Sequence, residues 1–482
     1  MGIYETKLPN NEHPARRAAV IGAGPAGLVT AKTLMESGFD VTLYEKGSFV
    51  GGTWTYGNDN GRQFLYKNLH INTSKRLTAF SGFPFPPETQ AIPDHRDMAR
   101  YLAAYADHFG ITRRICFRSP VREVTPLQPA EHDRPKWKVV TGDNTADIFD
   151  FVVVCSGAFD RPKHSPELRK FSGEYLHAAE YREPERYVGK RVCVVGAANS
   201  AVDIASDLCT TAQSVSLVAR SAVKIVPHFI AGKSLNDIGR SLQRWWIPDV
   251  VRRFIVRSLV YVVHGSETKL GFKPLEHRVH PTISSTIVQD ILFNRVRVRQ
   301  GIESIEENKI TFVDGTTQEF DVVIAATGYV TAFPFLSRDI LDTDKERLDL
   351  YLRVVPPESP GLYFVGIVNL DTPVNYASER QARWIAEIES TGASLPSVAE
   401  MRRQIAAKHS WIARHYGTAA RHSMQEESKI YYRELDAVMR KTRKRVARRS
   451  RQFEINAEQQ REEKNESSHR NIAAAANEPV TH

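Results

Sequence analysis

Apolar positions along the chain gather in short dense runs separated by glycine turns and helical spacings. The run Ala18–Ile21 leads into a glycine-rich turn, and then Leu28, Ala31 and Leu34 recur at the spacing of one helix face. Gly38 closes that helix, and a second apolar run, Val41–Tyr44, completes a β-α-β unit. The same cadence returns further on: "RVCVVG", a helix from Ser200 to Leu208, then "SVSLVAR" ending at Arg220. "FDFVVVC" from Phe149 and "FDVVIAA" from Phe320 read as further buried strands. Two β-α-β units within one chain predict an α/β protein.

The two turns carry different chemistry. Gly22, Gly24 and Gly27 stand as G-x-G-x-x-G between strand and helix, the dinucleotide-binding arrangement of a Rossmann-like unit. The first glycine makes the tight turn, the second lets backbone approach a pyrophosphate, and the third lets helix and strand pack closely. Glu45 falls 18 residues after Gly27, at the end of the next strand, where a carboxylate binds ribose hydroxyls. It would repel a 2′-phosphate, which leaves FAD or NAD for this site. In the second turn Gly196 is followed by Ala198, Asn199, Ser200 and Ala201, so alanines occupy the second and third glycine slots. No acid ends its second strand. Arg220 stands there instead, 19 residues beyond Ala201, and a guanidinium clamps the 2′-phosphate of NADPH. Lys224 and His228 lie close by in sequence.

Composition narrows the class. The 482 residues are 41% hydrophobic and 25% charged, enough for two or three packed domains. Cys116, Cys155, Cys193 and Cys209 form no close pair, which argues against a disulfide framework, a metal site or a dithiol redox centre and suits a reducing cytoplasm. The first twenty residues lack the apolar core of a secretory signal. No run of apolar residues is long enough to span a bilayer. Trp245–Val263, interrupted by Arg252, Arg253 and Arg257, is expected to be an amphipathic helix packed on the protein body or a partner, with peripheral membrane contact as the other reading. The net charge of +9 resides in residues 402–451, which hold 15 Lys or Arg against four Asp or Glu. Without interleaved aromatics this stretch reads as a solvated, partly helical tail, and no nucleic-acid partner is expected.

Four further segments carry a resemblance. "FSGEYLHAAEY", Phe171 to Tyr181, has the pattern F-x-G-x-x-x-H and an aromatic, immediately before the second unit. "INTSKRLTAFSGFPFP" begins at Ile71, Ala326-Thr327-Gly328-Tyr329 follows a strand, and "RQARW" spans Arg380 to Trp384. Together they resemble the flavin-containing monooxygenases, class B flavoprotein monooxygenases related to the Baeyer–Villiger type. The continuation Tyr181-Arg182, where Baeyer–Villiger enzymes usually have a tryptophan, favours the former branch. With "EKGSFVGGTW" after the first unit, the resemblance implies FAD at the first site, approached by Gly52 and Trp54, and NADPH at the second.

It further implies a C4a-hydroperoxyflavin that oxygenates a small soft nucleophile at nitrogen or sulfur, using molecular oxygen. Baeyer–Villiger oxygenation of a ketone is the alternative, and a reductase serving a protein partner is a more remote one. Asn72 is the implied catalytic residue. Thr327 and Gly328 are assigned with the cofactor-binding residues, and His177 is expected to orient its connection rather than move protons. A homodimer is expected. The resulting division places FAD-binding segments at 1–165 and 330–435, an inserted NADPH-binding domain at 166–329, and a basic polar tail at 436–482.

Overall fold

The computed structural model describes residues 15–128, 134–242, 246–343, 347–417, 424–448 and 451. Its framework is two five-stranded sheets in which every pairing is parallel. In the first, the order is Leu362–Phe364, Phe151–Val154, Arg17–Ile21, Asp40–Tyr44 and Ile115–Cys116. In the second it is Val296–Arg299, Ser214–Val218, Arg191–Val195, Val322–Ala325 and Glu174–His177.

The continuous apolar runs now have their cause. Successive strand residues point to opposite faces, and both faces are covered. Ala18 and Val20 enter a core with the helices Pro25–Glu36, His95–His108 and Val374–Thr391. Ala19 and Ile21 enter another, against Val124, Trp137, Val139 and Phe149 of a three-stranded antiparallel sheet. The second sheet repeats the plan. Val192 and Val194 pack with the helix Asn199–Leu208, while Cys193 meets Ile310 and Phe312 of the antiparallel sheet 302–319. Each large aliphatic side chain buried here contributes about 1.5–3 kcal/mol. A charge placed at Val20 or Val194 would lie unpaired between two covered faces.

The strands of the second sheet fall between Phe151–Val154 and Leu362–Phe364 of the first. The outgoing and returning chains meet, since Arg161–Pro162 pairs antiparallel with Tyr329–Val330.

Trp245 lies outside the described residues, and the stretch after it forms the helix Asp249–His264. Val256 and Val260 pack on Val226 and Leu235, whereas Phe254, Tyr261 and Val262 stand exposed. The expected packing on the protein body therefore accounts for only part of its apolar surface. Residues 428–448 are helical, and of the basic tail beyond them only 451 is described. Among the described residues no helix is long and apolar enough to cross a membrane, and no group of three or more metal-ligating side chains occurs.

Candidate active site

At the first turn the glycines do what their spacing requires. Gly22 has φ +105°, and a Cβ there would lie 2.9 Å from the Cys155 carbonyl oxygen. On Gly27 a Cβ would come within 1.7 Å of the Gly22 carbonyl oxygen, so no side chain fits without moving backbone. Gly24 faces Gly52, whose Cα would sit 3.8 Å from an added Cβ, and Gly52 itself has φ +59°. These two backbones border a cradle free of side chains. Helix Pro25–Glu36 opens onto it with no side chain capping its first turn, leaving N–H groups and the positive end of the helix dipole for an anion. Trp54 closes a short 3-10 turn from Gly52 and packs against the core.

Glu45 is buried, and its carboxylate accepts the N–H of Ala23 at 2.7 Å and of Gly47 at 2.9 Å. It braces the turn as well as ending the strand. Each oxygen keeps a further lone pair for a ribose hydroxyl. The turn, the uncapped helix and the carboxylate fit FAD.

The second turn is built likewise. Gly196 has φ +136°, and an added Cβ would lie 2.4 Å from the Ala326 carbonyl oxygen. Helix Asn199–Leu208 also begins without a side-chain cap. The Asn199 side-chain oxygen accepts the N–H of Ile283 at 2.9 Å, while Ser200 is exposed at the helix start. Arg220 is exposed at the end of its strand and has no ion-pair partner among the described residues, as a residue kept for a phosphate would be. Lys224 is bound to Glu267 at 3.2 Å, and His228 is buried against Ser285, so neither is as available as Arg220. These residues fit NADPH.

The Phe171–Tyr181 motif lies at the seam between the two units. Phe171 is buried with Phe312 and Phe320. A Cβ on Gly173 would meet the Phe171 ring at 2.6 Å, which explains the glycine two residues on. His177 ends a strand opposite Ala325 and is fully buried. Its Nδ1 accepts the Ala179 N–H at 3.1 Å, so Nε2 carries the proton and donates to the Gly328 carbonyl at 3.1 Å. Burial, and His164 beside it, push the imidazole down to about 4. A neutral ring with both nitrogens engaged holds the returning chain in place. The Thr327 hydroxyl donates to the Lys163 carbonyl, and the Lys163 N–H donates to Gly328 at 2.9 Å, so Thr327 and Gly328 tie the two crossings together.

Asn72 stands on a strap that sequence reasoning missed. From Arg62, which donates to the Ser156 carbonyl at 2.6 Å, the chain runs across the second unit. The Arg182 guanidinium reaches the Gln63 carbonyl at 3.2 Å, and the Arg182 carbonyl accepts the Lys67 N–H at 2.8 Å. Tyr66 donates to Asp203 at 3.1 Å; Asn68 and Tyr181 donate to Asp207 at 2.8 and 2.6 Å. The two acids, four residues apart, share one face of the second nucleotide helix. Burial pushes Asp203 up to about 7. Further along, Asn236 donates to the Asn72 carbonyl at 3.2 Å and Arg76 pairs with Asp237 at 2.6 Å. Beyond Asn72 the strap returns to the first unit, where Asn375 donates to the Thr78 carbonyl and Glu379 holds Ser81, both at 2.7 Å. The half-buried Asn72 side-chain amide has no hydrogen-bond partner among the described residues.

Residues 15–445 match the model of the family described as flavin-binding monooxygenase-like. The chain belongs to this family. Flavin-containing monooxygenase 5 of Rattus norvegicus is 32% identical over 440 residues, 85% of this chain and 80% of the relative. The solved S-allyl-L-cysteine S-oxygenase from Allium sativum is 26% identical with a TM-score of 0.65, covering 88% of each chain. An open structure of cyclohexanone monooxygenase shares the fold, with a TM-score of 0.61 at 18% identity over 89% of this chain and 98% of that one. This flavin-binding monooxygenase is thus an FAD- and NADPH-dependent enzyme acting with molecular oxygen on a small molecule.

Proposed function

We propose that this monooxygenase oxygenates a soft nucleophile, a sulfide sulfur or an amine nitrogen. When bound, FAD supplies the redox chemistry, accepting hydride from NADPH and activating dioxygen. The protein's own residues bind, orient and exclude. Gly22, Gly24, Gly27, Glu45, Gly52 and Trp54 would hold FAD. Gly196, Asn199, Ser200 and Arg220 would hold NADPH, Arg220 at its 2′-phosphate. Thr327 and Gly328 would serve both by fixing the crossings between the two units.

The observation that carries the reading is Asn72: an amide without a partner, on a strap anchored to both nucleotide-binding units. Its N–H groups are free to donate and its oxygen to accept where the two cofactors and substrate would meet. No titrating side chain is needed at that position, since a soft nucleophile attacks without giving up a proton first. The likeness to an S-oxygenase at 26% identity supports sulfur as an acceptor.

The domain division belongs to this proposal. Segments 1–165 and 330–435 would form the FAD unit and 166–329 the NADPH unit; the pairing of Arg161–Pro162 with Tyr329–Val330 supports boundaries there. A cytoplasmic setting accords with four unpaired cysteines, and the expected homodimer is open to sedimentation velocity. The test of the reaction is to offer a thioether, a tertiary amine and a cyclic ketone side by side with NADPH. Sulfoxide or N-oxide is expected. Ester or lactone as the sole product would replace this reading with Baeyer–Villiger oxygenation.

A further inference from the structure

Asn72 needs a fixed backbone if its free amide is to act, and the residue that supplies one comes from the second unit. We propose that Asn236 is a positioning residue that sets the Asn72 amide from the NADPH-binding side. Helix Leu235–Ser241 carries two consecutive contacts to the strap, Asn236 to the Asn72 carbonyl and Asp237 to Arg76. Asp237 takes both Nε and Nη2 of Arg76, at 3.1 and 2.6 Å, a forked geometry that fixes direction as well as distance. Four residues beyond Asn72 the chain enters the short helix Lys75–Thr78, and from there Asn375 and Glu379 bind it to the first unit. Asn72 therefore lies between an anchor on the NADPH side and anchors on the FAD side. Its carbonyl is held, its side chain is not, and the held carbonyl limits where the side chain can reach.

This inference rests on the role assigned to Asn72, and the experiment separates the two. Three FAD-loaded variants are compared with the parent: Asn236→Asp, Asn72→Ala and the double variant. Asn236→Asp keeps the shape, replaces the donor with an acceptor facing a carbonyl, and leaves an acid in the first turn of its helix, where it is tolerated. Asn236→Gln, which keeps the donor, serves as the rescue. Two quantities are read. The first is hydrogen exchange of backbone amides in residues 70–77. The second is oxygenated thioether formed per NADPH consumed, with hydrogen peroxide as the complement.

Expected for Asn236→Asp is faster exchange confined to the strap and about a fivefold loss of product per NADPH, the worth of one ordinary hydrogen bond. Asn236→Gln should restore at least half of that product. The double variant should be no worse than Asn72→Ala, because the two residues act through one group. If Asn72→Ala loses product while Asn236→Asp changes neither readout, Asn236 has no positioning role. Additive losses in the double variant also overturn the inference, since Asn236 would then act elsewhere. If Asn72→Ala leaves product per NADPH unchanged, the role of Asn72 fails first and this inference with it.

Discussion

Replacing His177 separates a structural clamp from a proton carrier. The ring makes two hydrogen bonds of unequal consequence. Ala179 is buried, and its N–H has His177 Nδ1 as its acceptor. Gly328 also accepts from the Lys163 N–H, so its carbonyl keeps a partner if the histidine is lost. His177→Asn can preserve an acceptor near the Nδ1 position and forfeits the Gly328 bond, a net loss of about 0.5–1.5 kcal/mol. His177→Gln can reach toward Gly328 but strands the buried Ala179 N–H, costing about 1–3 kcal/mol. His177→Ala loses both bonds and leaves a void beside Tyr329, whose ring centroid lies 5.2 Å from that of His177, for a total of about 3–5 kcal/mol.

Urea unfolding of the FAD-loaded variants gives the ranking directly, and oxygenation is measured on the same samples. The pH dependence supplies a second check. The native imidazole is held down to about 4, whereas in the unfolded chain it titrates near its ordinary 6.5. The unfolded state therefore binds the extra proton in that window, and this group's stabilisation is complete above about pH 6.5 and lost progressively as pH falls toward 4. The variants should lack that component. Unfolding midpoints unchanged across the series, with oxygenation reduced a thousandfold, would refute the clamp and make His177 an acid–base group.

Three other substitutions test the remaining parts of the site. Arg220→Ala should raise the KM for NADPH about tenfold to a hundredfold while that for NADH moves less than about twofold, the difference expected from charge-assisted bonds to one phosphate; equal changes would remove the 2′-phosphate assignment. Gly27→Ala drives a Cβ into the Gly22 carbonyl, so the purified protein should hold less than about a tenth of the parent's FAD by absorbance, and full flavin content would show that the turn is not the cradle. Asp203, held up to about 7 by burial with Asp207 beside it and Tyr66 against it, favours the folded state while protonated and loses that contribution as pH rises from about 4 through 7. Asp203→Asn should flatten roughly 2–4 kcal/mol of that dependence in pH-resolved unfolding, and an unaltered profile would place the titration elsewhere.

Much of the frame was legible because buried parallel strands leave continuous apolar runs. Ala18–Ile21 and Arg191–Val195 alternate between two cores, so each residue must be apolar, and the glycines after them are dictated by contacts as short as 1.7 Å. Arg220 was legible because its strand has a fixed end. Glu45 was legible as an acid in register, but its bonds to Ala23 and Gly47 follow from burial that spacing does not encode.

The strap was not legible. Residues 62–76 lack periodicity, and their partners Asp203, Asp207 and Asn236 lie more than a hundred residues away on another unit. The spacing of the two acids on one helix was the available signal, and it pointed to no partner. The Phe171–Tyr181 motif was recognised by resemblance, whereas its physical content, the ring nitrogens of His177 and the Tyr181 hydroxyl, emerged only with the neighbours in place. The Asp249–His264 helix shows the opposite failure. Its apolar positions implied burial, yet Phe254 and Val262 stand exposed.

The most direct test of the central claim is isotopic. The FAD-loaded enzyme turns over a thioether with NADPH under 18O-labelled dioxygen, and product mass is compared with NADPH consumed. The account predicts a sulfoxide carrying one labelled oxygen for each NADPH oxidised. NADPH consumption with no label in the sulfoxide, all the oxygen appearing as peroxide, would contradict it.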